Sequence, residues 1–407
     1  MDNRRQFLKQ TGLVAGAFAV TQPHQVLGQK SAREPKLRVG IIGCGGRSHN
    51  VGEMALKDGR YEIVALADYF QDAVDEVGEK YGVAANRRYT GLNCFQRLID
   101  AGGVDIVAVL SPPYFHPEQV EAVVEAGLHV WLAKPIAVDA PGVARIEAAA
   151  RKAASKKRCF LVDFQTRALG HYHEAARRVA AGDLGHLGYG EIEATSTAFG
   201  LRVPHGGKET KLKNWLQWKD LCGENIIEFS IHAIDMASLI IGRPPVSATG
   251  FCERNIINEM PGDVRDVTSV VYDYGDGFKC VLRAKRFKHY QISGGLDLAL
   301  FGEKGGLFAT YKGEVYIKGE APFNGDRYMG EKIRGIYNLG ILKNWDTFYR
   351  NITEGDYSQA TVQPSVDSHY LALLGREAAY AQGASVTWDD IVKSRKSMEF
   401  DTSGLKV

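Results

Sequence analysis

No two cysteines in this sequence form a C-x-x-C pair. The six, Cys44, Cys94, Cys159, Cys222, Cys252 and Cys280, are scattered along the chain, which excludes zinc-knuckle and thioredoxin-like readings. A large core needs no covalent staples, so no disulfide framework is expected. The chain also lacks an uncharged apolar run of about 18 residues, so no stable membrane span is expected. Nor is there an excess of one charge. Lys and Arg total 50 against 48 Asp and Glu, for a formal net charge of +2, so no global field draws the chain to nucleic acid or anionic lipid. The local basic run Lys152–Arg158 suits the C-terminus of a helix, although a phosphate-binding patch would have the same composition. With 45% hydrophobic and 24% charged residues the composition is globular. At 407 residues two domains are comfortable where one would be oversized.

Residues 1–32 read as an address, outside the fold. Arg4-Arg5-Gln6-Phe7-Leu8-Lys9 is a twin-arginine block, followed by a weakly apolar stretch from Thr11 to Val20 and a polar spacer with Pro23 and Gly28. That order is a bacterial export signal, and the paired arginines point to the Tat route. A periplasmic or otherwise exported mature protein is expected. The alternative is a basic amphipathic helix that stays on the domain.

From Lys36 the chain alternates strand-like and helix-like segments. Leu37–Ile42 is a β-rich run that ends in Gly43-Cys44-Gly45-Gly46-Arg47-Ser48, and a helical stretch follows. Tyr61–Ala67 is the next strand and ends on Asp68, at the distance a dinucleotide-binding unit requires. Gly43 permits the tight turn, Gly45 lets backbone approach a pyrophosphate, and Ser48 fills the small position where helix meets strand. The helix N-terminus then presents unpaired N–H groups to phosphate. Val104–Leu110, Val130–Leu132 and Phe160–Val162 continue as strands, with helices at Phe95–Ala101, Pro117–Ala126 and Pro141–Ala154. One strand stops at Ser111-Pro112-Pro113, and the next at Ala133-Lys134-Pro135. A lysine at that edge is either a surface turn or a functional group, and composition does not decide between them.

Taken in order, Gly40–Arg47, Leu66-Ala67-Asp68, Ser111–His116, Ala133-Lys134-Pro135 and Gly223–Asp235 resemble the Gfo/Idh/MocA oxidoreductases, such as glucose–fructose oxidoreductase and inositol dehydrogenase. The resemblance runs over roughly residues 36–390. It implies an α/β chain: a doubly wound Rossmann domain at 36–160, then at 161–390 an α+β substrate and oligomerisation domain on a large, mostly antiparallel open sheet, with a tail at 391–407. Strand-like segments at Tyr189–Phe199, Val246–Cys252, Thr268–Tyr274, Phe278–Arg286, Leu296–Phe301 and Gly306–Ile317 fit that sheet. Gln363–Ala381 reads as a long helix that crosses back onto the first domain. The resemblance further implies a homodimer or homotetramer, and a dinucleotide bound by Gly43, Gly45, Gly46, Arg47, Ser48, Asp68, Ser111, Pro112, His116 and Lys134. Two positions depart from the family pattern. Ala133 stands where Glu is usual, and Glu228 where Asp is usual.

Asn225–Ile241 has helical periodicity, which places Glu228, His232 and Asp235 on one face. Such a stripe is a general base held by a carboxylate, or the polar side of an amphipathic helix. A metal site is disfavoured, because no second histidine lies nearby. In the mechanism the resemblance implies, His232 takes a proton from a secondary hydroxyl while Lys134 holds the oxygen, and Glu228 or Asp235 orients the imidazole. Gln165 and Arg167, just past a strand end, are candidates for the substrate, although a salt bridge between domains fits Arg167 equally well. Trp215 is a candidate for stacking on a sugar ring, with core packing as the alternative. Trp218 has the same two readings, and His205 sits on a loop within reach of substrate. Asp68 repels a 2′-phosphate, and no arginine follows it at Tyr69-Phe70-Gln71, so NAD is expected in preference to NADP. Three functions stay open on these residues: a dehydrogenase on a sugar or polyol, a glycosidase or isomerase that uses NAD transiently, and a non-catalytic sugar-binding protein.

Overall fold

The computed structural model describes residues 36–198, 200–287, 295–319, 328–329 and 335–407. The export-signal segment 1–32 and Phe199 lie outside the described residues. A six-stranded parallel sheet holds β1 (Leu37–Ile42), β2 (Tyr61–Asp68), β3 (Arg88–Thr90), β4 (Ile106–Val109), β5 (His129–Ala133) and β6 (Phe160–Asp163), in the order β3-β2-β1-β4-β5-β6. Between them run α1 (Gly46–Asp58), α2 (Gln71–Tyr81), α3 (Cys94–Asp100), α4 (His116–Glu125) and α5 (Ala140–Ser155). Helices on both faces explain why these strands are almost continuously apolar. The order reverses between β1 and β4, so a crevice opens at their C-terminal ends, where open parallel sheets bind ligands.

The second half starts with α6 (Gly170–Ala180), β7 (Leu187–Thr197), α7 (Lys208–Lys213), α8 (Lys219–Cys222), α9 (Asn225–Glu228) and α10 (Ile231–Ile241). Then come β8 (Ser247–Glu253), β9 (Val267–Asp273), β10 (Lys279–Phe287), β11 (Leu296–Gly302), β12 (Gly305–Thr310), β13 (Val315–Gly319) and β14 (Tyr328–Met329). The chain closes with α11 (Ile336–Glu354), α12 (Val362–Tyr380), β15 (Val386–Thr387) and α13 (Trp388–Val392). Among the described residues the second sheet has nine strands, ordered β14-β13-β12-β11-β7-β10-β9-β8-β15. It is antiparallel except for the central β7–β10 pair, which is parallel. The sequence reads Gly306–Ile317 as one strand. The structure folds it into the β12–β13 hairpin, with Gly313 at φ +89° in the turn, because the segment's polar middle Tyr311–Glu314 turns more readily than it extends.

Two late helices return to the first domain. In α11, Trp345 stacks on Trp131 of β5 with ring centroids 5.2 Å apart, and its indole donates to the Val51 carbonyl at 3.0 Å. Tyr61 donates to the Trp345 carbonyl at 2.6 Å. In α12, the His369 Nε2 accepts from Ile136 N at 2.8 Å while Nδ1 donates to the Ser365 carbonyl at 2.9 Å. Arg376 donates to the Val138 and Gly223 carbonyls. All six cysteines are buried free thiols. Among the described residues no helix is long and apolar enough to cross a membrane, and no group of His, Cys, Asp or Glu is arranged to hold a metal ion.

Buried histidines tie this packing to pH. Burial pushes His369 down to about 3, and His116 and His129 down to about 4, from an ordinary 6.5. Each is neutral in the fold and protonates more readily once unfolded. Their contribution is therefore complete above pH 6.5 and is lost as pH falls towards these depressed values. Each tenfold difference in proton affinity is worth about 1.4 kcal/mol, so stability should fall by several kcal/mol across that window. Thermal melts at stepped pH test this, and a Tm that stays flat over the window contradicts it.

Candidate active site

The crevice widens into a cleft of about 630 Å³ between the ends of β1, β2, β4 and β5 and residues 200–232 of the second domain. Its floor is the glycine turn. Gly43 has φ +94°, and a Cβ there would come within 2.4 Å of Ser111 N, so no larger residue fits. Gly45 precedes α1 without a side-chain cap, which leaves the first-turn N–H groups of that helix facing the cleft. Ser48 is fully buried and donates to the Gly45 carbonyl at 2.6 Å. It shapes the turn from behind and does not line the cleft. At the end of β2, Asp68 accepts from Cys44 N at 2.7 Å and Phe70 N at 2.9 Å. Burial holds its carboxyl above the usual range against those two donors. Arg47 pairs with buried Asp163 and lies over the Tyr337 ring. Asp163 also accepts from Gln165 and from Asn344 of α11.

Deeper in, Lys134 Nζ donates to the Glu228 carbonyl oxygen at 2.6 Å and lies 3.2 Å from its carboxylate. Burial lowers the lysine's proton affinity and raises that of Glu228, each opposed by the partner's charge. His232 lines the same cleft, with its ring 4.7 Å from that of Tyr311. Burial holds its pKa well below 6.5, and the charges of Lys134 and Arg47 add to this. The imidazole is therefore neutral at neutral pH. Tyr311, from the β12–β13 turn, donates to Gln165 Oε1 at 2.6 Å.

Several expectations change here. The periodic segment Asn225–Ile241 is two helices, because the chain turns at Phe229-Ser230 between α9 and α10. The single carboxylate–imidazole stripe is therefore broken, and Glu228 serves Lys134 without holding His232. Asp235 is fully buried and pairs with Arg167 at 2.6 Å, with Thr166 and Ser368 as further donors. It has no access to the cleft, so neither it nor Arg167 is placed to touch cofactor, substrate or the imidazole. Gln165 likewise lies behind the wall, against Tyr311 and Asp163. His116 is buried and spends Nε2 on the Ser111 carbonyl at 2.7 Å. Ser111 and Pro112 do line the cleft, and the Ser111 hydroxyl donates to Gln119. Trp215 lines the cleft while packing beside Leu212, Leu221, Phe400 and Leu405. Trp218 is turned towards exposed His205 outside it. Ala133, at the end of β5, is buried in the core and lines the cleft beside Lys134. Tyr311 and Asn344 were not singled out from the sequence. Gly313 beside Lys312 is the one local signal that could have marked the turn carrying the first, and the second depends on a helix packed from far along the chain.

These residues fit a nicotinamide dinucleotide. The glycine turn would cradle the pyrophosphate and Asp68 would take the adenosine ribose. Two buried polar atoms in the cleft, Arg47 Nη1 and Glu228 Oε2, have no partner among the described residues. Two family profiles match the chain. The oxidoreductase family with an NAD-binding Rossmann fold matches residues 37–164, and the GFO/IDH/MocA C-terminal domain matches residues 172–308. Together they span more than half of it. The chain belongs to the GFO/IDH/MocA oxidoreductases. It is similar to the inositol 2-dehydrogenase of Rhizobium meliloti, 25% identical over 355 residues, which cover 84% of this chain and 96% of that protein. The D-glucoside 3-dehydrogenase of Escherichia coli is 31% identical over 217 residues, 52% of this chain and 56% of that protein. Among solved structures, an aldose-aldose oxidoreductase from Caulobacter crescentus shares the fold. Its TM-score is 0.69 at 20% identity, covering 86% of this chain and 99% of that one. In this GFO/IDH/MocA oxidoreductase the glycine turn and Asp68 come from the matched Rossmann half. Glu228 and His232 come from the matched C-terminal half.

Proposed function

We propose that this protein moves a hydride to and from a secondary hydroxyl carbon of a sugar, polyol or sugar derivative, with NAD as cofactor. The observation that carries this reading is Lys134 Nζ, held by Glu228 beside a neutral His232 at the inner end of the glycine-floored cleft. A bound nicotinamide supplies the hydride acceptor and donor. Two of the three N–H donors on Lys134 serve Glu228, and the third is free to bind the substrate oxygen and stabilise its developing negative charge. His232 takes the hydroxyl proton in oxidation and returns it in reduction. Tyr311 covers one side of the imidazole and is itself fixed by Gln165. The relatives named for inositol and D-glucoside favour a cyclic polyol or sugar.

Preference for NAD rests on Asp68, whose charge at the ribose end disfavours a 2′-phosphate. The neighbouring cation Lys213 is engaged by Asp72. Calorimetry should show NAD+ binding more tightly than NADP+. The opposite order rejects the preference, and binding of neither dinucleotide rejects the function.

The twin-arginine block supports export after folding, with the cofactor loaded before transport. Under this reading the exported enzyme keeps its dinucleotide and works without net redox change. It oxidises one sugar and reduces another, or oxidises and re-reduces the same one. The outer face of the nine-stranded sheet supports assembly as a homodimer or homotetramer, because Tyr189, Phe251, Val271 and Phe301 are exposed on it. Phe301→Lys should shift sedimentation of the chain towards the monomer. A wild-type chain that already sediments as a monomer removes the assembly.

A further inference from the structure

Two stretches remote in sequence meet beside the dinucleotide cleft, the first lining it and the second backing Tyr69 on its wall. The first is 200–218 of the second domain, which contains α7, and the second is 393–407, beyond α13. We propose that these stretches clasp a bound dinucleotide in place, with Tyr69 as the latch and the Arg202 guanidinium as counter-charge to the pyrophosphate. This rests on the proposal that a dinucleotide occupies the cleft.

The latch is a single hydroxyl with two partners. Tyr69 directly follows Asp68 and lines the cleft. Its hydroxyl donates to Glu209 of α7 at 2.6 Å and accepts from Lys406 N at 3.0 Å. Both remote stretches are thereby tied to the residue beside the ribose site. Further ties run parallel to this one. Lys213 pairs with Asp72 and lies over Phe70, Leu92 N donates to the Lys406 carbonyl at 2.9 Å, and Lys208 Nζ donates to Asp401 and to the Ser403 carbonyl. Phe400 fills the space between Tyr114, Phe115 and Leu212. The stretches also fasten to each other, so opening one loosens both.

Arg202 is the charged part of the clasp. Its backbone is fixed by buried Asn214, whose Oδ1 accepts from Arg202 N at 2.8 Å and whose Nδ2 donates to the Val203 carbonyl at 2.8 Å. The side chain reaches across the domain boundary, with a guanidinium nitrogen 3.7 Å from where a Cβ on Gly45 would stand. Among the described residues no carboxylate pairs with it. An arginine aimed at a glycine turn and a helix N-terminus meets the same phosphates that those N–H groups bind, and its planar fork suits them. A dinucleotide seated below it leaves only after Arg202 and the latch give way.

The test measures NADH release from the full-length holoenzyme by stopped-flow fluorescence, chasing with excess NAD+. The proteins compared are the wild type, Arg202→Gln, Tyr69→Phe and a deletion of residues 399–407. Each change should speed release at least about tenfold, because affinity changes of this kind appear mainly in the off-rate. Arg202→Lys should recover part of the loss, and Arg202→Gln should weaken the salt dependence of binding. Tyr69→Phe keeps the ring and removes only the hydroxyl, so it reports on the latch even if the deletion fails to fold. Release within about twofold of wild type for both Arg202→Gln and Tyr69→Phe overturns the clasp and leaves the cofactor reading intact. A wild type that binds no dinucleotide fails the cofactor reading itself.

Discussion

Lys134→Ala should lower turnover by about a hundredfold or more while the protein stays folded. The lysine lies at the inner end of the cleft with its ammonium fixed by Glu228. Its removal takes away the donor that stabilises charge on the substrate oxygen. It also leaves the Glu228 carboxylate without its cation. Burial already raises that carboxyl's proton affinity, so in the variant it takes up a proton and avoids standing as an unpaired buried charge. His232→Ala should cost turnover on the same scale, because it removes the base. In the wild type the depressed pKa of His232 sets the sign of the acid limb. The imidazole is competent when neutral, so activity should persist below pH 6.5 and fall only as pH approaches its lowered value. Steady-state kinetics and a melt on each variant check this. Near-wild-type kcat in either one removes that residue from the mechanism, and an acid limb at or above 6.5 removes His232 as the neutral base.

The mature enzyme should carry its dinucleotide through gel filtration, and should turn over a sugar or glycoside without stoichiometric accumulation of reduced cofactor. Under the proposed export, the compartment beyond the cytoplasm holds no comparable free NAD pool, so a cofactor that dissociated each cycle would be lost after one. Absorbance of the purified protein and mass spectrometry of its denatured supernatant identify what co-purifies. An apo protein as isolated, whose activity is strictly proportional to added NAD+, rejects the retained-cofactor reading and favours an ordinary dehydrogenase.

Local signals were legible in the sequence, and long-range ones were not. The Gly43-x-Gly45 turn and the distance to Asp68 are set within one strand–helix–strand unit, so their chemistry can be read from spacing alone. The strands of the first sheet are apolar on both faces and stand out for that reason. Periodicity misleads at Asn225–Ile241, since apolar spacing is the same with or without the turn at Phe229-Ser230. That turn decides where Glu228 points. The partnership of Asp235 with Arg167 joins residues 68 apart in sequence, and no local pattern announces it. Tyr311 reaches His232 only because an expected single strand doubles back as a hairpin. Helix α11 resembles any amphipathic helix until Trp345 is seen against Trp131.

The position of that helix has a consequence for biogenesis. During synthesis the first six strands emerge early, yet Tyr61 and Trp131 stay uncovered until Trp345 has left the ribosome. The cleft wall at Tyr69 waits longer still, for Lys406. A truncated product therefore exposes aromatic surface and lacks a finished nucleotide pocket. Emergence of residues 345–406 and maturation of the binding site become one event, and a secretion route that accepts only folded cargo would reject a product that lacks them.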